Sequence, residues 1–369
     1  MAAPLKYLYN REFYETFLVL LKRVVNVDAE EFLDQIFSDT WDELELKQRM
    51  RHTTEVMSNY LSSDFETAAN QLKELISHIE EHHSGKALEY LFLPDYVEAY
   101  GQENWEVAMP CMERITQYTS CEFAIRPFII KQQDRTMKQM LEWSTHEHHA
   151  ARRQASEGCR PRLPWAMALP ALKKDPALIL PILENLKADS SLYVRKSVAN
   201  NLNDIAKDHL KLVLDLAERW RGTSPETDWI IKHGCRTLLK AGNIRAMRLF
   251  GFGDVKAVQL SGFEIYTPMV VYGKELSFGF QFVISQSEPI LLRLEYAIYY
   301  QKANGSLSPK VYKISEKEYD GNSSQEIHKV QPFKPISTRK FHQGLHQIAI
   351  IINGVEMQRK DFQLAMREL

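Results

Sequence analysis

A carboxylate and an indole lie close together in a segment dense in arginine. Glu157 and Trp165 fall within residues 152–165, which also hold four arginines. Cationic side chains suit a polyanion, and the face of an indole attracts cations. A carboxylate can stabilise a positive centre that develops during a reaction. These residue types predict chemistry on a flat, positively charged group attached to a polyanion, and an alkylated base in DNA fits that description.

The charge of the chain is unevenly distributed, although its net value is only −2. Residues 1–150 hold 14 Lys and Arg against 26 Asp and Glu, residues 151–250 hold 18 against 10, and the remainder holds 14 against 12. The middle hundred residues therefore carry a net charge of +8. Such a segment is the electrostatic footprint expected of a nucleic-acid-binding protein. A charge-rich helical surface without a nucleic-acid partner would give the same count.

Residues 1–252 have a helical pattern and contain an internal repeat. Asp28 followed by Glu31, and Ser224 followed by Pro225, are typical helix starts. Residues 194–202 align with residues 230–238, which lie 36 positions later. Periods of roughly 33 to 40 residues with paired helices are typical of an α-solenoid of HEAT-like repeats.

Equivalent helices of such repeats share one face, and their polar residues would line a common groove. The candidates for contacts to DNA in this groove are Arg195, Lys196, Asn200, Asn201, Lys232, His233 and Arg236. A cationic, amide-rich groove is suited to following phosphate groups. The alternative is a scaffold groove that binds an acidic protein partner.

The hydrophobic period changes from helical to two near residue 252. Phenylalanine alternates with small or polar residues over 277–282, and Asn304-Gly305 and Asn353-Gly354 are typical hairpin turns. About seven short strands predict an immunoglobulin-like β-sandwich over residues 256–369, without a disulfide.

A basic loop is expected between late strands of this sandwich. Residues 329–340 are punctuated by proline and contain no acidic residue. Loops at one end of an immunoglobulin-like sandwich often bind ligands. We expect Lys334, Arg339 and Lys340 to meet DNA phosphates, with a solvated loop as the alternative.

A family resemblance rests on residues 43–49, 93–98, 120–128, 193–204 and 229–239. The most specific stretch is VRKSVANNLND at 194–204. These segments resemble the bacterial DNA alkylation repair glycosylases of the AlkC type, which are relatives of AlkD. The resemblance covers about residues 1–252, and the β-rich tail resembles the immunoglobulin-like domain that one AlkC subgroup carries. It implies a monofunctional DNA glycosylase of base excision repair that removes N3-alkylated bases, mainly 3-methyladenine and 3-methylcytosine, from bent DNA.

The resemblance also implies roles for individual residues. Glu122 and Glu157 match the catalytic glutamates of the family. Trp165 would lie against the lesion or its sugar, and Arg153 would hold a phosphate beside the lesion. DNA contacts in the same segment are expected from Arg153, Arg160 and Arg162. An alkylated base is a good leaving group, so a carboxylate near C1′ is needed more than an acid. The alternatives are a surface position for Glu122, pairing of Glu157 with Arg153, and a core position for Trp165.

No cofactor and no metal are expected. The H-x-x-E-H pattern at residues 78–82 is short and has no obvious third ligand, and the histidines of 146–149 fit a polar helix-to-loop segment. The cysteines are scattered without a CxxC pair, at positions Cys111, Cys121, Cys159 and Cys235. They fit reduced thiols, and no phosphate-binding glycine pattern supports a nucleotide cofactor.

The remaining expectations concern location and partners. No run of about 18 apolar residues exists, and the N-terminal residues lack a secretory pattern. We expect a monomer in the bacterial cytoplasm, associated with the nucleoid through its partner, double-stranded DNA with alkylated bases. The alternative functions are a non-catalytic HEAT-repeat DNA-binding protein and a HEAT-repeat scaffold for protein partners.

Overall fold

The chain forms two compact units, Met1–Gly234 and Cys235–Leu369. A computed structural model describes residues 4–82, 88–336 and 339–366. Among these residues, the first unit consists of helices and the second of two short helices and a β-sandwich. The predicted fold class, helical repeats followed by a β-sandwich, is confirmed. Within the described ranges, no helix is both long and apolar enough to cross a membrane.

The helices are short and follow one another closely. Those of the first unit are α1 (Arg11–Leu21), α2 (Ala29–Ile36), α3 (Leu46–Met57), α4 (Phe65–His82), α5 (Phe92–Tyr100), α6 (Trp105–Tyr118), α7 (Ile125–Lys131), α8 (Gln133–Trp143), α9 (His149–Gly158), α10 (Pro170–Lys174), α11 (Leu180–Leu186), α12 (Leu192–Ile205), α13 (Leu210–Trp220) and α14 (Pro225–Gly234). The second unit begins with α15 (Arg236–Lys240) and α16 (Ile244–Leu249). Turns of 3-10 helix lie at Leu5–Leu8, Trp41–Glu43 and Leu88–Leu91.

The predicted helix starts at α2 and α14 are confirmed. The Asp28 carboxylate accepts a hydrogen bond from the backbone N–H of Glu31 at 3.0 Å, so α2 begins at the next residue, Ala29. Ser224 Oγ accepts one from the N–H of Thr227 at 3.1 Å, and α14 begins at the intervening Pro225. Each cap satisfies a backbone donor that lacks a partner within the helix.

Helix α12 packs against both α9 and α14. Two glycines allow close approaches in this region, Gly158 between α9 and α7 and Gly234 between α14 and α12. A Cβ atom on Gly158, the last residue of α9, would lie 2.7 Å from Ile125 Cγ2. A Cβ atom on Gly234 would lie 3.0 Å from Leu202 Cβ. Asn201 of α12 donates a hydrogen bond to the Ser156 carbonyl of α9 at 2.8 Å. This contact fixes the two helices against each other, and with them the polar side chains between them.

Two sheets form the sandwich. Its strands are β1 (Val258–Ile265), β2 (Met269–Val271), β3 (Glu275–Ile284), β4 (Ile290–Gln301), β5 (Leu307–Tyr319), β6 (Ser324–Pro332), β7 (Gly344–Ile352) and β8 (Val355–Ala365). One sheet has the order β1-β3-β6 and the other β2-β8-β7-β4-β5. Strand β2 pairs with β8 in parallel, and the other named pairings are antiparallel.

The predicted alternation and hairpins are confirmed in the sandwich. Phe278, Phe280 and Phe282 of β3 are buried in the core between the sheets. Asn353 and Gly354 have φ angles of 46° and 77° and join β7 to β8. Positive φ at both central residues is what a tight hairpin turn requires.

Helices α15 and α16 belong to the β-rich unit and not to the repeats. Gly242, which lies between them, has a φ of 67°, and a Cβ atom on it would lie 2.5 Å from the carbonyl oxygen of Gly354. Asn353 also donates a hydrogen bond to the Gly253 carbonyl at 3.1 Å. The compact β-rich unit therefore starts at Cys235. The boundary at residue 252 between the helical and the immunoglobulin-like domains stays a prediction.

We predict that Gly242→Ala destabilises the β-rich unit more than Gly305→Ala. Both glycines have positive φ, but a Cβ atom on Gly305 would meet open space. The left-handed conformation costs about 1 kcal/mol in each variant, and overpacking adds about 1 to 3 kcal/mol at Gly242 alone. Hydrogen exchange of the slowest amides in β4 and β7 measures this difference. Equal protection in the two variants would show that the contact with Gly354 contributes nothing.

Candidate active site

A buried ion cluster lies between α9, α12 and the turn that precedes α7. Arg153 and Glu157 are one helical turn apart on α9, and Glu122 is in the turn. Arg153 Nη2 lies 2.6 Å from Glu122 Oε2 and 3.6 Å from Glu157 Oε1. The structure therefore brings together three of the residues that the sequence singled out for chemistry.

Two further contacts fix the orientation of Arg153. Ser120 Oγ accepts a hydrogen bond from Arg153 Nη1 at 2.9 Å and donates one to Glu122 Oε2 at 2.8 Å. The guanidinium carbon lies 4.5 Å from the ring centroid of Tyr193 on α12. Burial lowers the pKa of Arg153, but the carboxylates of Glu122 and Glu157 outweigh it, so the pKa lies above its usual range. Arg153 is therefore a fixed cation.

The cluster continues through Arg160 to a third carboxylate, Asp204. Arg160 Nη1 lies 2.6 Å from Glu157 Oε1, and Arg160 Nε donates a hydrogen bond to Asp204 Oδ2 at 2.9 Å. Side-chain charges then alternate in sign from Asp204 through Arg160, Glu157 and Arg153 to Glu122. Each member has a partner of opposite charge, as buried charges require.

Arg160 and Asn201 were predicted to contact DNA phosphates, and the structure buries both. Arg160 has carboxylate partners at both ends of its guanidinium group. Asn201 is fully buried and donates to the Ser156 carbonyl. The arginine-rich segment suggested Arg160 and the repeat alignment suggested Asn201, but neither pattern could tell which side chains are buried where α12 packs against α9.

Trp165 is exposed in the loop between α9 and α10. Its side chain is 67% exposed, and its φ of 65° is a left-handed conformation that bulky residues rarely adopt. The Lys47 ammonium group donates a hydrogen bond to the Trp165 carbonyl and lies 4.6 Å from the ring centroid of Phe123. Because Phe123 adjoins Glu122, this lysine links the Trp165 loop to the ion cluster. The structure therefore contradicts the alternative in which Trp165 is a core residue.

Arg126 also holds the loop that contains Trp165. Its fully buried guanidinium group donates to the carbonyl groups of Met167, Gly158 and Arg160 at 2.7, 2.9 and 2.9 Å. Burial lowers the pKa of Arg126 to about 10. The loop that presents Trp165 is therefore held at several backbone positions.

The other predicted DNA ligands have varied surroundings. Arg162 pairs with Asp208 at 2.7 Å, and Arg195 donates to the Asp189 and Ser190 carbonyl groups. Four of these side chains are exposed, those of Lys196, Lys232, Lys334 and Lys340. Four others are half-buried, those of Asn200, His233, Arg236 and Arg339. The His233 ring stacks on Trp229, and the Arg339 guanidinium lies over Tyr300. The cationic side chains of α12 and α14 in fully exposed positions are thus Lys196 and Lys232.

In the parts of the chain that the structure describes, no three His, Cys, Asp or Glu side chains are grouped as a metal site requires. The thiols of Cys121 and Cys159, which adjoin Glu122 and Arg160 in the chain, are both buried, and burial raises the pKa of Cys159 to about 12. Cys159 is a neutral thiol near pH 7 and so a weak nucleophile.

Sequence reasoning missed Ser120, Tyr193, Asp204, Lys47 and Arg126 as members of this site. Asp204 and Tyr193 both lie in the stretch 193–204, which carried the strongest family resemblance. Their roles become visible only when α12 is packed against α9. A list of conserved-looking motifs cannot say which carboxylate faces which guanidinium group.

Comparisons with known proteins identify the family and the fold. The family described as DNA alkylation repair enzyme matches residues 46–238, and the family described as the C-terminal Ig-like domain of uncharacterised protein YhaZ matches residues 259–366. The chain is 41% identical to "Uncharacterized protein YhaZ" of Bacillus subtilis (strain 168) over 363 residues, 98% of this chain and 99% of that protein. The alkylpurine DNA glycosylase AlkC of Pseudomonas fluorescens, solved bound to DNA containing an abasic site analog, matches with a TM-score of 0.93 and 35% identity over 98% of this chain and 100% of that one.

The helical-repeat domain and the immunoglobulin-like domain that follows it thus define a class of DNA repair protein. The chain belongs to the DNA alkylation repair enzyme family. The resemblance to the AlkC type, in the subgroup with an immunoglobulin-like domain, is confirmed.

We predict that Lys196→Gln weakens the salt dependence of DNA binding. Each phosphate contact contributes about 0.9 to the slope of log affinity against log salt, so the variant should lose about one unit for any duplex sequence. The matched control is Lys211→Gln on α13, an exposed lysine that pairs with Asp215 at 3.3 Å. An unchanged slope for Lys196→Gln would remove this lysine from the DNA interface.

Proposed function

We propose that the protein is a monofunctional DNA glycosylase of base excision repair. It hydrolyses the N-glycosidic bond of cationic N3-alkylated bases, 3-methyladenine and 3-methylcytosine, in double-stranded DNA. The observation that carries this proposal is the Glu122–Arg153–Glu157 cluster beside an exposed Trp165. A DNA-bound relative of 35% identity and the same fold supports DNA as the ligand.

The reaction needs a negative site and not a strong acid. When the bond between C1′ and the base nitrogen breaks, its electron pair goes to the base and neutralises the charge that alkylation gave it. The sugar is left with positive charge at C1′, and water adds there to give an abasic site. A fixed carboxylate stabilises that charge and accepts or directs the proton of the attacking water.

Burial makes the cluster effective for this purpose. Glu157 and Glu122 have side-chain exposures of only 7% and 17%, so the charges act through a medium of low dielectric constant. Their partners hold them in place before substrate binds, so no reorganisation is required during the reaction. Glu122, as the more exposed carboxylate, is suited to contact the sugar or the water. Glu157, as the more deeply buried carboxylate, contributes its electrostatic field at the sugar.

The exposed indole and the cations serve binding. The face of Trp165 attracts a cationic base or sugar, with an attraction of about 0.5 to 2 kcal/mol. Lys334 and Lys340 of the β-sandwich loop retain their predicted contacts with the DNA backbone. The phosphate that Arg153 is predicted to hold would meet a guanidinium group that is already paired with Glu122. Arg339 and Arg162 have partners in the structure that DNA would have to replace. We further propose a monomer in the cytoplasm that needs no cofactor.

The decisive assay for the function incubates the purified protein with methylated duplex DNA and separates free bases by chromatography. Release of 3-methyladenine and 3-methylcytosine supports the proposal. Binding to methylated duplex without release of any base would instead support a non-catalytic DNA-binding protein.

We predict that Glu122→Gln and Glu157→Gln each slow single-turnover base release at least about tenfold, because each removes a preorganised charge from the transition state. Affinity for the duplex should change little, because neither carboxylate contacts phosphate. Glu142→Gln, an exposed position on α8, is the matched control. Release at nearly the wild-type rate by both single variants would reject these residues as catalytic.

A further inference from the structure

We infer that Asp204 is a positioning residue, which acts through Arg160 to fix the direction and the charge that Glu157 presents to the reacting sugar. The inference rests on the proposed function and adds a residue to its machinery. Asp204 lies on α12, on the far side of Arg160 from Glu157. Its side-chain carboxylate pairs with Arg160 and Lys207.

The geometry at Arg160 is directional. Arg160 Nε and Nη2 each lie 2.9 Å from the same oxygen of Asp204, Oδ2. The third nitrogen, Nη1, lies 2.6 Å from Glu157 Oε1. Because a guanidinium group is planar and rigid, holding two of its nitrogens sets the direction of the third. Asp204 thereby fixes the hydrogen bond that Glu157 receives.

The charge at Asp204 is as important as the geometry. Two guanidinium groups, those of Arg153 and Arg160, act on Glu157. Without Asp204, the full charge of Arg160 would fall on Glu157 and weaken its field at the sugar. Arg126 increases this need, since it is a further buried cation whose hydrogen bonds go to backbone carbonyl groups. The remaining neighbour, Lys207, lies 3.1 Å from Asp204 Oδ1 at the edge of the cluster, where water reaches it.

A purely structural role explains the arrangement poorly. Buried ion pairs are seldom more stabilising than apolar residues of similar volume, because the ions lose their hydration. Asp204 is almost completely buried, and so is its guanidinium partner, Arg160. A chain of such charges that ends at the proposed catalytic carboxylates is what an electrostatically preorganised site requires.

The test compares binding of two abasic-site analogues in duplex DNA, a cationic pyrrolidine and a neutral tetrahydrofuran. Wild-type protein should prefer the cationic analogue, and Asp204→Asn should reduce that preference about tenfold, since it changes the field and not the phosphate contacts. The Kd for the neutral analogue should stay close to that of wild type. The control is Asp215→Asn, which removes an exposed aspartate of α13 and should leave both affinities unchanged.

A second readout separates positioning from stability. Asp204→Asn should slow single-turnover base release at least about tenfold. In a Glu157→Gln background the same change should slow it by less than about twofold, because residues that act through one another are not additive. Additive effects, together with an unchanged preference between the two analogues, would overturn the inference. Should Asp204→Asn fail to fold, Asp204→Ser, which leaves room for water beside Arg160, is measured in the same way.

The outcomes distinguish this inference from the function beneath it. If wild-type protein releases base and Asp204→Asn matches it in rate and preference, the role of Asp204 is rejected and the glycosylase stands. If wild-type protein neither releases base nor prefers the cationic analogue, both are rejected. If wild-type protein prefers the cationic analogue but releases no base, the proposed glycosylase activity is rejected. The effect of Asp204→Asn on the preference between the analogues then decides the role of Asp204.

Discussion

The cost of burying charge is the constraint on which the site depends. Each carboxylate or guanidinium group taken out of water loses several kcal/mol of hydration, and only partners of opposite charge at short distance offset that loss. The chain from Asp204 to Glu122 meets this condition at every step, with charged groups 2.6 to 3.6 Å apart. Changing any one of these residues therefore alters the balance of charge around its neighbours.

That condition in turn governs the packing of the helices. Charges on α9 and α12 can meet only if the two backbones approach closely, and the Asn201 amide hydrogen-bonded to Ser156 holds them together. Gly158 lets the end of α9 lie against Ile125, and Arg126 then anchors the loop beyond it. The exposure of Trp165 in a left-handed conformation follows from this anchoring and is not a local preference of the residue.

Sequence patterns predicted the parts of the molecule that local rules determine. The capped start of α2 at Asp28, the alternating phenylalanines of β3 and the turn at Asn353-Gly354 all follow from short-range physics, and all are present. The composition of the site was also predicted, since Glu122, Arg153 and Glu157 do come together. The partner of Arg160 could not be assigned in the same way, because only the packing of α12 shows that Asp204 lies within hydrogen-bonding distance of its guanidinium group.

A single comparison tests the central claim most directly. The claim is that fixed carboxylates in the site promote the release of a cationic base from DNA. Duplexes that carry 3-methyladenine or its uncharged isostere 3-methyl-3-deazaadenine at one position present the same shape with and without the charge. Single-turnover release of the free base is measured for both. We predict rapid release of 3-methyladenine and little or none of the deaza analogue. Release of both at similar rates, or of neither, would contradict the account.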